Sequence, residues 1–413
     1  MTNNSQHIPS GYKSSPLGII PEDWEVKRLG EIARIGSGGT PSKANQEYWG
    51  GNIPWITTAL LNNPYIDAVD EFITEQGLKN SSAQLLNSGV LLMAMYGQGQ
   101  TRGKVSKLLI KASTNQACAF IDIHTGNTDF VHQHLIADYD SIRNKSNDGN
   151  QKNLSLGIIN DIQITFPPIP EQQRIVSLLS LWDTAIAKQT ALIEKLTLRK
   201  RGLMQQLLTG KKRLKGFSGE WKKCTYSNIL SEVKRTLIWD EDELYKLISV
   251  RRRSEGLFFR ESLYGREIAT KNLRPAKTGD FLISKMQIVH GASGLVTEEF
   301  DDAKISGSYI SLVSKNSDVL DIKYFNLWSQ TPFFYHQTFV SSFGVHIEKM
   351  TFDFDTFMSF SMPLPPIKEQ HAIVLLMDSL NKEIEIAKEK LSHLQNQKRG
   401  LMQVLLTGKK RIK

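Results

Sequence analysis

Two stretches of the chain place apolar residues at alternating steps of four and three. The first runs through Ile175, Leu179, Trp182, Ile186, Gln189, Ile193, Leu196, Lys200, Leu203 and Leu207. The second runs through Ile373, Met377, Leu380, Ile384, Ala387, Leu391, Leu394, Lys398, Leu401 and Leu405. Eight of ten positions are apolar in the first and nine of ten in the second. A seam held over four heptads predicts a coiled coil rather than two unrelated surface helices. From residue 175 to 207 such a helix is about 48 Å long at ~1.5 Å per residue. Start and stop signals frame both stretches. Pro167-Pro168 and Pro365-Pro366 enforce an extended entry. Glu171 and Glu369 then fall in the first turn, at the positive end of the helix dipole. Gly210 and Gly408 offer left-handed caps, with lysines following at the negative end.

The two stretches are copies. Residues 200–215 and 398–413 agree at 14 of 16 positions, at a constant offset of 398 − 200 = 198. The match extends without a gap to Pro167, with 24 of 49 positions identical. This divides the chain into a variable block, 1–165, a first helix repeat, 166–215, a second variable block, 216–363, and a second repeat, 364–413. The blocks begin alike: Trp24, Leu29 and Ile32 recur in spacing as Trp221, Tyr226 and Ile229. Short apolar runs such as Gly89-Val-Leu-Leu-Met-Ala-Met-Tyr96 and Asp280-Phe-Leu-Ile-Ser-Lys-Met286 read as buried strands. The expected class is therefore α+β. Two α/β domains are joined by two long helices that form an antiparallel coiled coil, in a pseudo-twofold internal repeat. Such a molecule is suited to a partner that also comes in two halves.

Composition sharpens the choice of partner. The chain has 413 residues, 40% hydrophobic and 23% charged, as soluble globular proteins do. A net charge of +9 points to a polyanion. No apolar run approaches the ~18–20 residues that cross a bilayer, and the polar start lacks a signal-peptide pattern, so the expected location is cytoplasmic, with no membrane partner. Cys118 and Cys224 form neither a CxxC motif nor a disulfide framework.

Catalytic motifs are missing. Residues 97–104 fail as a P-loop, since Gln98 stands where the spacing requires the first glycine and Val105 where Ser or Thr is required. The Pro-Pro pairs lack the flanking residues of an amino-methyltransferase motif, and Glu25-Val-Lys27 is too short to indicate a nuclease. His132 and His134 read as surface or binding groups rather than metal ligands. No catalytic residue and no metal site is expected.

Groups suited to nucleic acid are plentiful instead. Ser37, Gly38, Thr40, Ser42 and Lys43 lie on a glycine- and hydroxyl-rich stretch that can bring amides to phosphate. Gln98, Gln100, Arg102 and Lys104 share one loop; glutamine can pair with adenine and arginine with guanine. Lys152 and Asn153 add a further spot. The second block offers Arg251, Arg252, Arg253, Arg260, Lys285, Gln287 and His290.

The arrangement resembles the specificity subunit of type I restriction-modification systems. The resemblance is carried by Gly18-Ile-Ile-Pro-Glu-Asp-Trp24, Leu29-Gly-Glu-Ile32, the loop from Gly36 to Ser42 and Gln151-Lys-Asn-Leu154. Most specific are the paired Pro-Pro-Ile-x-Glu-Gln helix starts and Lys-Arg-Gly-Leu-Met-Gln-x-Leu-Leu-Thr-Gly-Lys helix ends. It covers residues 16–413. One departure is Val345-His-Ile-Glu-Lys-Met350, which stands where a second Gln-Lys-Asn-Leu is expected. The resemblance implies a non-catalytic reader of double-stranded DNA. Each block would be a target-recognition domain for one half of a bipartite site. The helices would set the spacer and dock two methyltransferase subunits, and restriction (translocase–nuclease) subunits would complete the complex. No cofactor is expected on this chain; S-adenosylmethionine, ATP and Mg would sit on the partners. The competing readings are a lone nuclease or methyltransferase, and a coiled-coil scaffold whose basic ends bind nucleic acid without sequence preference.

Overall fold

The computed structural model describes residues 8–97, 100–145, 153–344, 346–347 and 350–412. The chain folds as two compact units, one of Met1–Thr190 with Glu389–Lys413 and one of Ala191–Lys388. Each long helix contributes one half to each unit.

In the first unit, strands β1 (Ala33–Ser37), β2 (Leu91–Ala94), β3 (Val105–Leu108) and β4 (Cys118–Ile123) form a sheet of order β1-β4-β2-β3, extended at the β3 edge by Tyr65–Ile66. The neighbours among β1 to β4 are antiparallel. The apolar run in β2 is explained by burial on both faces. Leu91 and Met93 pack with Leu29, Ile32, Val131 and Ile164; Leu92 and Ala94 pack with Ile56, Leu61, Leu108 and Phe120 on the other side. A ribbon of Glu25–Arg28 paired with Gln163–Phe166 closes the block and leads directly into the long helix.

The second unit repeats this plan. Strands β5 (Leu230–Glu232), β6 (Phe281–Ser284), β7 (Ser293–Leu295) and β8 (Tyr309–Ser314) have the order β5-β8-β6-β7, again antiparallel. Phe281 and Ile283 of β6 face Tyr226, Phe325 and Trp328, while Leu282 faces Ile248 and Ile305. The ribbon here pairs Lys222–Thr225 with Ser361–Leu364.

The predicted helices span Ile169–Leu208 and Ile367–Leu405. Early residues of one pack against late residues of the other, which makes the pairing antiparallel. In the first unit Ile175 and Leu179 meet Met402 and Leu405. In the second, Leu207 joins Ile373, Met377 and Leu380, and Leu196 joins Ile384 and Ala387. The remaining seam residues Trp182, Ile186, Ile193, Leu203, Leu391, Leu394 and Leu401 are half-buried. Each fully buried leucine or isoleucine contributes about 1.5–3 kcal/mol. Gly210 and Gly408 cap the helices at φ +71° and +70°, as their positions predict.

Glu171 and Glu369 do sit in the first turn, but their main partners are not the helix dipole. Glu171, 4% exposed, accepts from Trp24 Nε1 at 3.0 Å and from Arg411 at 2.6 and 3.1 Å. Glu369, fully buried, accepts from Trp221 Nε1 at 3.1 Å and from Arg213 twice at 2.6 Å. Each carboxylate thus ties a helix start to the Lys-Lys-Arg tail of the other helix and to the tryptophan opening a block. The neighbouring glutamines act similarly. Gln172 donates to Pro167 O and accepts from the Asn127 amide; Gln370 donates to Pro365 O and accepts from the Asp321 amide.

Candidate nucleic-acid interface

Because the strands are antiparallel, the ends of β1 and β2 and the starts of β3 and β4 share one end of the first sheet. The segments 37–43, 95–104 and 115–117 therefore emerge together, although they are far apart in sequence. Short bonds lock them. Gly38 N–H donates to Cys118 O at 3.2 Å, Met95 N–H to Ala117 O at 2.9 Å, and Leu154 N–H to Met95 O at 3.0 Å, which brings Asn153 to the same place. Thr40 Oγ1 bonds Gln116 Oε1. Lys104 Nζ donates to Asn62 Oδ1 at 2.7 Å. Ser42, Lys43 and Gln100 are exposed, Ser37 and Thr40 half-buried. Lys43 stands 5.9 Å from the Trp49 ring. Gln98 and Lys152 lie outside the described residues.

Two readings of this end need revision. The Gly38 and Gly39 amides already donate within the fold, to Cys118 O and Thr114 O. A Cβ at Gly38 would lie 2.0 Å from Thr114 O, and one at Gly39 2.3 Å from Ala83 N. These glycines are demanded by packing, not by approach to phosphate. Arg102 is only 8% exposed, and its guanidinium donates to Arg143 O at 3.3 Å. It braces the loop from below rather than standing at its surface.

The second sheet presents the same end. Lys285 N–H donates to Ser308 O at 2.9 Å, as Met95 does to Ala117, so the loop 285–292 takes the place of 95–104. It carries Lys285, Gln287 and His290. The turn holding Arg251, Arg252 and Arg253 packs on it, with Arg253 N–H to His290 O at 2.7 Å and Ser254 N–H to Gly291 O at 2.8 Å. Arg251 lies 4.9 Å over the Phe258 ring. Arg260 does not join them. It is on the strand Leu257–Tyr264, paired to Glu261 at 3.2 Å.

A profile described as the type I restriction modification DNA specificity domain matches residues 21–198 and 243–396. The chain belongs to that family. The first match contains the whole of the first sheet, and the second contains all of the second sheet but β5. Among named relatives, the MjaIX specificity subunit of Methanocaldococcus jannaschii is 31% identical over 202 residues, 45% of each chain. The MjaVIII specificity subunit of the same organism is 20% identical over 425 residues, 95% of this chain and 94% of that one. The EcoR124I/EcoR124II specificity subunit of Escherichia coli is 29% identical over 178 residues, 42% and 44% of the two chains. The chain thus spans just under half of two relatives and nearly all of the third. Among solved structures, a chain from a type I R-M system has a TM-score of 0.60 at 15% identity, covering 94% of this chain and 99% of that one. The S subunit from M. genitalium has a TM-score of 0.54 at 12% identity, covering 93% and 96%. Both share the fold.

The specificity-domain copies also hold polar groups that sequence reading passed over. Asn62 and Gln116 join the first cluster, the only hint being that Gln116 directly precedes the apolar run from Ala117 to Phe120. His132 and His134 are corrected in the other direction. They lie in the helix Thr128–Ala137 at 0% and 5% exposure, not at the surface. Burial holds the His132 imidazole down at about 4. His134 bonds Thr165 Oγ1 at 3.0 Å and Asp138 at 2.9 Å. Among the described residues no cluster of His, Cys, Asp or Glu could hold a metal ion, and no helix is long and apolar enough to cross a membrane.

Proposed function

We propose that this chain is the DNA sequence-specificity subunit of a type I restriction-modification complex, and that it performs no covalent chemistry itself. The carrying observation is duplication: two sheets of one strand order present equivalent loop clusters rich in Lys, Arg and Gln. Each cluster reads one half of a bipartite DNA site. The divergence of the loops within a repeated frame favours sequence reading over a scaffold that binds any polyanion, which has no use for two different loop sets. The long helices set the spacer between the halves and dock two methyltransferase subunits. Exposed apolar residues on them support that role: Leu181 and Leu192 on one helix, Leu375 and Ile386 on the other, 45–69% exposed. Both pairs are eleven residues apart, close to three turns and so on one face. Restriction subunits complete the assembly in the cytoplasm, and S-adenosylmethionine, ATP and Mg belong to the partners. The test is the adenine-methylation map of the source genome with and without this gene. Loss of one bipartite, gapped motif is the expected result; an unchanged map in cells that express the complete system would refute the reading.

A further inference from the structure

Within the second unit, the late half of the first long helix and the block that follows it enclose a cleft of about 630 Å³. Lys200 and Arg201 enter it from the helix, and Arg253 from the 251–256 turn. No carboxylate lines it, and none of the three cations has an ion pair among the described residues. The repeat supplies a control. Lys398 occupies the same place in the other copy, lining a cavity of about 370 Å³ in the first unit. There it is neutralised by Asp183 at 2.6 Å. The residue 198 positions beyond Asp183 is Asn381. Lys200 therefore keeps the seam position of Lys398 but lacks its carboxylate.

The turn that supplies Arg253 is strained. Arg253 and Ser254 have φ of +60° and +55°, a left-handed conformation that costs an L residue about 1–2 kcal/mol. It is held by the bonds to His290 O and Gly291 O and by Ser254 Oγ to the Tyr335 hydroxyl at 2.9 Å. Strained backbone of this kind clusters at functional sites. On the facing wall Phe333 is 57% exposed yet stacked on Trp328, with ring planes 5° apart. A rigid, open aromatic face beside cations suits a base next to its phosphate, and the volume is that of a small-ligand site.

We propose that this cleft binds the phosphate of a nucleotide between Lys200, Arg201 and Arg253, with Phe333 under the base. The nucleotide is either free or part of a DNA strand. The site shares Arg253 with the arginine turn of the second loop cluster, whereas Lys200, Arg201 and Phe333 lie outside both clusters, so loss of protection at Lys200 with half-site reading intact separates this proposal from the sequence-reading role. Burial, and then the charge of Lys388, lower the Lys200 ammonium from the usual lysine range, against the pull of Asp378. This makes Lys200 a ready target for an acylating label. The full-length protein is treated with an acetylating ester alone, then with pyrophosphate, deoxyadenosine monophosphate or a random-sequence DNA duplex. Labelling is read at Lys200 and Lys398 by peptide mass spectrometry. The expected result is an about tenfold slower labelling of Lys200 with Lys398 unchanged. That protection should vanish in Asn381→Asp, which restores the missing carboxylate at constant side-chain size, and in Arg253→Ala. Protection by the two small probes assigns a free nucleotide; protection by the duplex alone assigns a strand. Phe333→Ala should weaken the mononucleotide severalfold and leave pyrophosphate unaffected. Equal labelling of Lys200 with and without every probe, or protection that persists in Asn381→Asp, would overturn the proposal.

Discussion

The two units share a frame and differ in what the frame presents. The buried clamps are nearly superimposable in chemistry: glutamate, arginine and tryptophan recur at Glu171, Arg411 and Trp24 and at Glu369, Arg213 and Trp221. The strand order is also repeated. The seam is the first place where they part, since Lys398 has Asp183 while the residue that corresponds to Asp183 in the other copy is Asn381. The loop clusters part completely, one built on glutamines and a glycine-rich stretch, the other on an arginine turn. Duplication has been kept where the groups hold the protein together and relaxed where they face outward.

The comparison breaks most easily at the clamps. Arg213→Ala leaves Glu369 buried with only the Trp221 N–H, and losing one partner of a buried pair costs about 3–5 kcal/mol. Arg411→Ala should do the same to the first unit. Urea midpoints read by amide exchange in peptides of each unit would measure this. A severe loss from one substitution and none from the other would show that the clamps are not equivalent.

Acid should separate the units next. His132 is neutral in the fold because burial outweighs the help of Val105 O and Asp129, with Lys107 and Lys398 also opposing the charge. Its folded value, about 4, lies below the ~6.5 of an unfolded histidine. The stabilisation is therefore complete above pH 6.5 and is lost as pH falls toward 4, on the order of 3 kcal/mol in all. The first unit should open before the second on acidification, and His132→Gln should remove that difference. Parallel pH profiles in wild type and variant would contradict the assignment.

The seam difference is smaller. Asp183→Asn would leave Lys398, 9% exposed, without its carboxylate, at a cost of about 2 kcal/mol. Asp183 also accepts from Gln133 at 2.8 Å, so the loss should loosen the block as well as the helix pair. Thermal unfolding of the variant beside Asn381→Asp would test it, the two substitutions being expected to act in opposite directions.

What could be read from the sequence was what has a period or a rigid local rule. The heptad seam, the glycine caps and the two-sided strands β2 and β6 are set by neighbours within a few residues. The clamps were not legible: Glu171 finds Arg411 240 residues away, and Glu369 finds Arg213 at 156. Nor was the burial of Arg102, His132 and His134, because polarity alone does not say which side of a surface a residue occupies. Gly38 has the property its place in a glycine-rich stretch suggests, a need for close approach, but the atoms approached belong to the fold itself, as they do for its neighbour Gly39. The equivalence of loops 95–104 and 285–292 came only from strand order, since their sequences share nothing.

That equivalence gives the finest test of the two-halves reading. Gln100 is exposed at the first cluster, its backbone carbonyl accepting from Tyr139. Gln287 is half-buried at the second, and its carboxamide oxygen has no protein partner among the described residues. If each loop reads its own half-site, Gln100→Ala should weaken one half only and Gln287→Ala only the other, each by about 1 kcal/mol, the low end for a lost base contact. Competition binding with duplexes altered in one half at a time resolves a change of that size. A uniform loss across both halves from either substitution would instead mean that the loops act through the fold and not through their own bases.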